Sequence, residues 1–100
     1  MAKMIVSYKI ASDQIGRNEQ LIHAVFQELH AKSLAEVRYL ALKTEDGSFI
    51  HLVDDGANLI PRLQAFEAFR GRIMERCIEA PQQSGVTIVG NYRMLDPEAS

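Results

Sequence analysis

Four β-rich segments and two segments of helical periodicity follow one another along this chain of 100 residues, and their order limits the folds open to it. The β-rich segments span residues 4–10, 36–44, 48–55 and 86–95. The helical segments span residues 18–33 and about 62–79, where apolar side chains recur at spacings of three and four residues. The order of elements is therefore β-α-β-β-α-β.

Right-handed crossovers turn this order into a four-stranded antiparallel sheet with both helices on one face. That arrangement is the ferredoxin-like fold of the α+β class. A chain of this length forms one domain, so we expect a single ferredoxin-like domain over residues 1–100.

The other face of the sheet lacks a helical cover, and the sequence predicts that it is apolar. If Asp46 and Gly47 form a two-residue hairpin turn, the cross-strand pairs are Thr44 with Phe49, Leu42 with His51, and Leu40 with Val53. The opposite face then carries Val37, Tyr39, Ala41, Ile50 and Leu52. Both faces are largely apolar, whereas water favours polar side chains on an exposed face. We therefore expect a homodimer that covers the open sheet face.

Composition excludes several classes of partner. The net charge is −2, and no run of basic residues suggests nucleic acid binding. Apolar stretches are far shorter than the ~20 residues that span a bilayer. The first ten residues do not resemble a secretory signal, and the single cysteine, Cys77, suits a reducing compartment. These features predict a cytoplasmic protein without membrane contact.

Three short motifs add to this order of elements: "NE" at residues 18–19, "FIHLV" at 49–53 and "LQAFEAFRGRI" at 63–73. Together they resemble the antibiotic-biosynthesis-monooxygenase-like group of the dimeric α+β barrel superfamily, over about residues 4–95. The resemblance implies a ferredoxin-like subunit in a dimeric α+β barrel. Members of the superfamily include cofactor-independent oxygenases of quinols and polyketide phenols, haem-degrading enzymes, isomerases and stress proteins. The chain has no tryptophan, so the Asn-Trp-His set of the haem-degrading members is incomplete, and residues 65–69 lack the histidine that the oxygenases often carry there.

Arg70 lies within the apolar stripe of the second helical segment, four residues after Phe66 and three before Ile73. As a functional residue it would anchor an anionic oxygen of a ligand, because its five donors form a fixed fork. Two structural interpretations compete with this role. Either Gly71 breaks the helix and shifts its register, or Arg70 lies along apolar surface with its charged head in water.

His51 lies in mid-strand on the face that also carries Phe49 and Val53. In an apolar cleft, an imidazole can act as a general base near neutral pH, for example on a phenol or quinol that then reacts with dioxygen. The alternative is a structural histidine whose ring is hydrogen-bonded to a neighbouring group.

Asn18 falls on the apolar side of the first helical segment, one turn before Leu21 and Ile22. It either caps that helix or, if the helix begins earlier, points its amide into the space between helices and sheet. His23 and His30 lack the i, i+4 spacing of a helical metal site, so they are expected on a solvated flank and no metal site is predicted.

An inward-facing Arg70 would bring Arg70, His51, Phe66 and Phe69 together around a small pocket, with Asn18 as a further ligand contact. Apolar walls with a few polar groups suit a flat aromatic ligand. The leading hypothesis is a cofactor-independent monooxygenase-like enzyme acting on a small phenolic or quinone-like compound, with His51 as general base and Arg70 as anion anchor. The alternative is a non-catalytic dimeric protein of the same fold that binds a small ligand or serves in a stress response.

Overall fold

The computed structural model describes residues 3–95 of the chain. Its elements are strand β1 (Lys3–Ile10), helix α1 (Ile15–Lys32), strands β2 (Arg38–Lys43) and β3 (Ser48–Asp54), helices α2 (Gln64–Arg70) and α3 (Ile73–Arg76), and strand β4 (Cys77–Val86). The strands form one antiparallel sheet in the order β2-β3-β1-β4. The predicted α+β, ferredoxin-like fold class is therefore confirmed.

One sheet face, here called the helix-side face, carries the buried core. Tyr8, Ile10 and Phe49 project from this face and are almost completely buried. The remaining buried members of the core come from α1 and from the region of α2: Leu21, Ile22, Val25, Leu63 and Phe69. Their spacing explains the helical periodicity of both segments, because side chains three and four residues apart share one face of a helix.

The turn between β2 and β3 is longer by one residue than the sequence predicted. Thr44 N–H donates to the Ser48 carbonyl (2.9 Å), and Gly47 N–H donates to the Thr44 carbonyl (3.3 Å). Gly47 has φ +86°, the left-handed conformation that closes a three-residue hairpin loop. The loop therefore consists of residues 45–47.

This third loop residue shifts the cross-strand pairs by one position. Ala41 faces His51, and Leu42 faces Ile50. The predicted pairs were therefore wrong, and so was the assignment of Tyr39 and Ala41 to the open face. Both lie on the helix-side face with His51, because side chains alternate along a strand. The other sheet face, here called the open face, still carries apolar side chains: Ile5, Leu40, Leu42, Ile50 and Leu52.

The second helical segment ends earlier than predicted. Helix α2 stops at Arg70, Gly71 is extended, and Arg72 has φ +61°. Only one further turn, α3, follows before the chain becomes a strand at Cys77. The break at Gly71, one of the two structural interpretations of Arg70, is confirmed, and a continuous helix to residue 79 is wrong.

The last strand precedes its predicted position. Strand β4 pairs with β1 from Ile10↔Cys77 to Lys3↔Val86, with register shifts between Ser7 and Ile10. Pro81 lies near these irregularities, where a residue without an N–H is tolerated. Residues 87–95, most of the predicted strand, contain no strand. Pairing with β1 outweighs the helical periodicity of residues 77–79.

Two carboxylates position the segment that leads into α2. Asp55 accepts hydrogen bonds from the backbone N–H groups of Leu59 (2.9 Å) and Ile60 (2.8 Å). Glu28 of α1 accepts one from Ala65 N–H at 2.9 Å, in the first turn of α2. Because these groups are the unpaired donors of a turn and a helix start, Asp55 stabilises the turn that precedes α2, and Glu28 ties the start of α2 to α1.

Candidate functional site

A cavity of about 590 Å³ lies between the helix-side face of the sheet and the α2–α3 region. Its sheet wall includes Val6, Tyr8, Tyr39, His51 and Val53. Its other wall includes Phe66, Phe69, Arg70 and Ile73. The structure thus brings together four residues predicted for one pocket: His51, Phe66, Phe69 and Arg70.

His51 lies at the centre of the sheet wall, and its side chain is bound at both ring nitrogens. The Tyr8 hydroxyl is 2.8 Å from Nε2, and the Tyr39 hydroxyl is 2.7 Å from Nδ1. His51 is 3% exposed. The interpretation of a histidine satisfied by its neighbours is confirmed, and these neighbours are two phenols that also line the cavity.

The sheet register explains why both tyrosines reach His51. On β1, Val6 lies opposite His51, and Tyr8 is two residues further along on the same face. On β2, Ala41 lies opposite His51, and Tyr39 is two residues away. Such diagonal neighbours are within reach of aromatic side chains. The small Ala41 and Val6 leave room for both phenols to lean toward the imidazole.

Asn18 extends this arrangement behind Tyr8. Its amide Nδ2 donates to the Tyr8 hydroxyl (3.1 Å), and its Oδ1 accepts from Arg76 Nε (3.2 Å). Because a guanidinium can only donate, the amide oxygen must face Arg76, and this fixes the orientation of the amide. Asn18 is 0% exposed and lies within α1, whose N-cap residue is Gln14. The helix-cap interpretation is therefore wrong, and the inward-pointing amide is the observed one. Asn18 is not among the residues that line the cavity, so it is connected to the cavity through Tyr8 rather than as the expected direct ligand contact.

Arg76, rather than Arg70, is the buried arginine. It is 7% exposed and donates to the carbonyls of Phe69 (2.6 Å) and Gly71 (3.3 Å). Its guanidinium also lies 5.7 Å from the centre of the Phe69 ring. These bonds satisfy carbonyl groups where α2 ends, so Arg76 stabilises the break in the helix. Arg76 is seven residues after Phe69 on the same helical stripe, and this spacing was the signal in the sequence that could have found it.

Arg70 lies at the edge of the cavity with its side chain exposed to water. Its guanidinium is 5.9 Å from the centre of the Phe66 ring, a cation–π contact. The second structural interpretation of Arg70, an arginine that lies along apolar surface with its head in water, therefore describes its position. The same position leaves its donors free to meet a ligand at the cavity mouth.

Burial keeps the groups around His51 neutral near pH 7. Burial lowers the pKa of His51 to about 4. Burial also raises the pKa of Tyr8 to about 12, an effect that the hydrogen bond from Asn18 opposes, and it raises the pKa of Tyr39 further. The site therefore holds a neutral imidazole between two neutral phenols.

The other histidines do not take part in this site. His23 and His30 lie exposed on α1, as predicted. Within residues 3–95, no cluster of three or more His, Cys, Asp or Glu side chains could hold a metal ion. Nor does this part of the chain contain a helix long and apolar enough to cross a membrane.

Comparison with known proteins supports the fold. No protein-family model matches the sequence, and no curated protein matches it significantly. Solved structures do match. One antibiotic biosynthesis monooxygenase has 12% sequence identity and a TM-score of 0.68, over 90% of this chain and 100% of that one. The chain has the antibiotic biosynthesis monooxygenase fold.

Two further structures agree with that assignment of the fold. A protein from Caulobacter crescentus has 14% identity and a TM-score of 0.67, over 89% of this chain and 90% of its own. Another, from Nitrosomonas europaea, has 12% identity and a TM-score of 0.67, over 88% and 89%. Both are described as antibiotic biosynthesis monooxygenases, with the activity still provisional. Because identities this low carry the fold alone, function has to be argued from the site.

Proposed function

We propose that this protein is a cofactor-independent oxygenase that converts a small, flat phenol or quinol into a quinone. The observation that carries the proposal is the neutral imidazole of His51, held between the hydroxyls of Tyr8 and Tyr39 on the wall of an aromatic cavity. A volume of about 590 Å³ is within the usual range for a small-molecule site. Phe66 and Phe69 offer apolar faces to a ring.

In this proposal, His51 is the base that takes the phenolic proton, and it acts through Tyr39. Because both ring nitrogens already face tyrosine hydroxyls, a ligand reaches the imidazole through a hydroxyl. The ligand's O–H donates to the Tyr39 oxygen while the Tyr39 proton moves to Nδ1. A phenolate then lies close to an imidazolium, and this opposite charge raises the pKa of His51 from its value in the empty site.

The phenolate supplies all four electrons that reduce dioxygen. Dioxygen bonds to the ring carbon para to the phenolate oxygen, and the O–O bond then breaks. One oxygen atom becomes the new carbonyl, while the other leaves as water with the proton from that carbon and the proton stored on His51. Phenol plus dioxygen thus gives quinone plus water, and the reaction requires no external reductant.

Arg70 acts in this proposal as an anion anchor at the cavity mouth. Its exposed guanidinium lies over Phe66, so a ring stacked on Phe66 would carry an acidic substituent toward that charge. Asn18 contributes indirectly, because its bond to Tyr8 holds that phenol against His51.

The test is quinone formation from 1-naphthol, a bicyclic phenol, under labelled ¹⁸O₂. We expect one labelled oxygen atom per quinone, and a loss of at least a hundredfold in kcat for His51→Gln, within the range for removal of a general base. His23→Gln removes an exposed histidine and serves as the control. Binding of 1-naphthol with no quinone above the protein-free rate would instead support the non-catalytic binding protein.

We also propose that the protein forms a homodimer through its open face. Apolar side chains cover the centre of that face, and Leu40 and Leu42 are 38% and 52% exposed in the isolated chain. An apolar surface of this kind is typical of a protein interface. A second copy presents the same apolar face, so an isologous two-fold contact would bury both.

A further inference from the structure

The hydrogen bonds around His51 can be ordered in two ways. A neutral imidazole has one N–H group and one acceptor nitrogen. In the first order, Tyr39 donates to Nδ1 while Nε2–H donates to the Tyr8 oxygen. In the second order, Tyr8 donates to Nε2 while Nδ1–H donates to the Tyr39 oxygen. The heavy-atom distances of 2.8 Å and 2.7 Å suit both.

The two orders differ in which tyrosine proton is left for a ligand. In the first order, the Tyr8 O–H is not used by the imidazole, and in the second order the Tyr39 O–H is not used. Both tyrosines line the same cavity. Tyr8 accepts a bond from Asn18 in either order, so that contact does not favour one of them.

We propose that Tyr8, His51 and Tyr39 form a two-way proton shuttle that interconverts the keto and enol forms of a flat cyclic ketone. Starting from the first order, the C–H bond beside the ligand carbonyl breaks and its proton goes to the Tyr39 oxygen. The Tyr39 proton moves to Nδ1, the Nε2 proton moves to the Tyr8 oxygen, and the Tyr8 proton bonds to the carbonyl oxygen. The electron pair of the C–H bond becomes the C=C bond of the enol. The shuttle ends in the second order, and no electrons are exchanged with any other group.

This route suits the surroundings of His51 because the imidazole stays neutral throughout. A ring that is 3% exposed and bound to neutral phenols disfavours an imidazolium. A shuttle that accepts a proton at one nitrogen while releasing one at the other avoids that charge. Asn18 and Arg76 act as positioning residues, since their bonds hold Tyr8 in place but transfer no proton to the ligand.

The keto–enol interconversion uses the same cavity as the proposed oxygenation but needs no dioxygen. An experiment can therefore contradict either proposal while the other still holds. The probe is β-tetralone, a bicyclic ketone, carrying tritium beside its carbonyl and incubated with the full-length protein under nitrogen. Release of tritium into water measures breakage of the C–H bond. We expect the wild-type protein to accelerate this release, whether or not it oxidises 1-naphthol.

Tyr8→Phe and Tyr39→Phe each remove one hydroxyl and keep the ring. Each should lower tritium release at least tenfold, because the shuttle needs one hydroxyl to accept the proton from the ligand carbon and the other to donate a proton to the carbonyl oxygen. Tyr92→Phe is the matched control, since Tyr92 is 81% exposed and does not line the cavity. Acceleration that survives in Tyr8→Phe but not in Tyr39→Phe would overturn the shuttle, because His51 would then act as a one-sided base. No acceleration by the wild-type protein would also overturn it.

A measurement on the wild-type protein covers the case in which Tyr8→Phe fails to fold. In mixtures of H₂O and D₂O, several protons moving in one step give a curved dependence of the rate on the deuterium fraction. We expect that curve for tritium release. A straight line, which indicates one proton in flight, would contradict the shuttle.

Discussion

His51 shows how the burial of one residue makes stability depend on pH. Its pKa is about 4 in the folded protein against 6.5 for an exposed histidine, so between these values the unfolded chain takes up a proton that the folded chain does not. The free energy of unfolding should therefore fall as the pH drops from about 6.5 to about 4, by about 3 kcal/mol in total. Above pH 6.5 the contribution of His51 should vanish, because both states are neutral.

Urea unfolding at several pH values measures this dependence. His51→Gln should remove it, and subtracting the profile of this variant from that of the wild type cancels the contributions of the carboxylates. His23→Gln takes away an exposed histidine and should leave the dependence in place. If the wild type and His51→Gln show parallel profiles, the imidazole is not buried as described.

Arg70 permits a second test, because replacing its side chain should change ligand affinity more than it changes the stability of the fold. Arg70→Met keeps much of the side-chain length but removes the charge. The cost in stability should stay within about 1 kcal/mol, the scale of an exposed cation–π contact. Affinity for a naphthol with an acidic substituent should fall about fivefold, as expected for an exposed ion pair, while affinity for 1-naphthol stays unchanged. Calorimetric titration with both ligands measures this difference.

Arg72→Met is the matched control for Arg70→Met, since Arg72 is an exposed arginine two residues away that does not line the cavity. An equal loss of affinity for both ligands in Arg70→Met would speak against an anion anchor.

The sequence identified part of the site and missed the bonds that organise it. His51, Phe66 and Phe69 could be found because a polar residue in an apolar strand and aromatic residues at helical spacing are visible along the chain. The partnership of Tyr8 and Tyr39 with His51 could not be found, because it depends on the pairing of three strands. A shift of one residue in the β2–β3 hairpin moves Tyr39 to the other face of the sheet.

Among the elements, the β2–β3 hairpin should be sensitive to Gly47, since this turn sets the register that carries Tyr39 to His51. Gly47 has φ +86°, and an added Cβ would lie 3.1 Å from Ile15 Cδ1. Gly47→Ala should lower the free energy of unfolding by about 1–3 kcal/mol. Gly16→Ala is the control, because Gly16 lies in α1 with open space around it. It should raise stability slightly, by up to about 1 kcal/mol.

Thermal or urea unfolding of the two glycine variants gives the comparison. Equal effects of the same sign in Gly47→Ala and Gly16→Ala would contradict the three-residue loop.

At the level of elements, the sequence predicted the number of strands and their order but not where the second helix stops. Residues 77–79 continue the helical period of Ile73 and Met74, and Pro81 looks like a helix breaker rather than a strand residue. Tertiary contacts decide the outcome here. Arg76 satisfies the carbonyls at the end of α2, and the following residues gain backbone bonds to β1.

For the whole molecule, the open face predicts self-association. Sedimentation equilibrium should give twice the chain mass of 11.2 kDa. Leu42→Lys places a charge among the apolar side chains of the open face, on the edge strand β2, and should weaken the dimer at least tenfold, since a buried unpaired charge costs several kcal/mol. Met74→Lys is the control, because Met74 is 60% exposed but belongs to α3. A folded wild-type monomer at micromolar concentration would contradict the proposed interface.

The imidazole of His51 is the group on which both proposed activities depend, and nitrogen-15 NMR of histidine-labelled protein observes it directly. At about pH 5, where an exposed histidine is mostly protonated, we predict the spectrum of a neutral ring for His51. Tyr8→Phe should shift mainly the Nε2 signal, and Tyr39→Phe mainly the Nδ1 signal, because each hydroxyl is bound to one nitrogen. An imidazolium at about pH 5, or ring signals that neither tyrosine substitution moves, would contradict a neutral histidine held between two phenols.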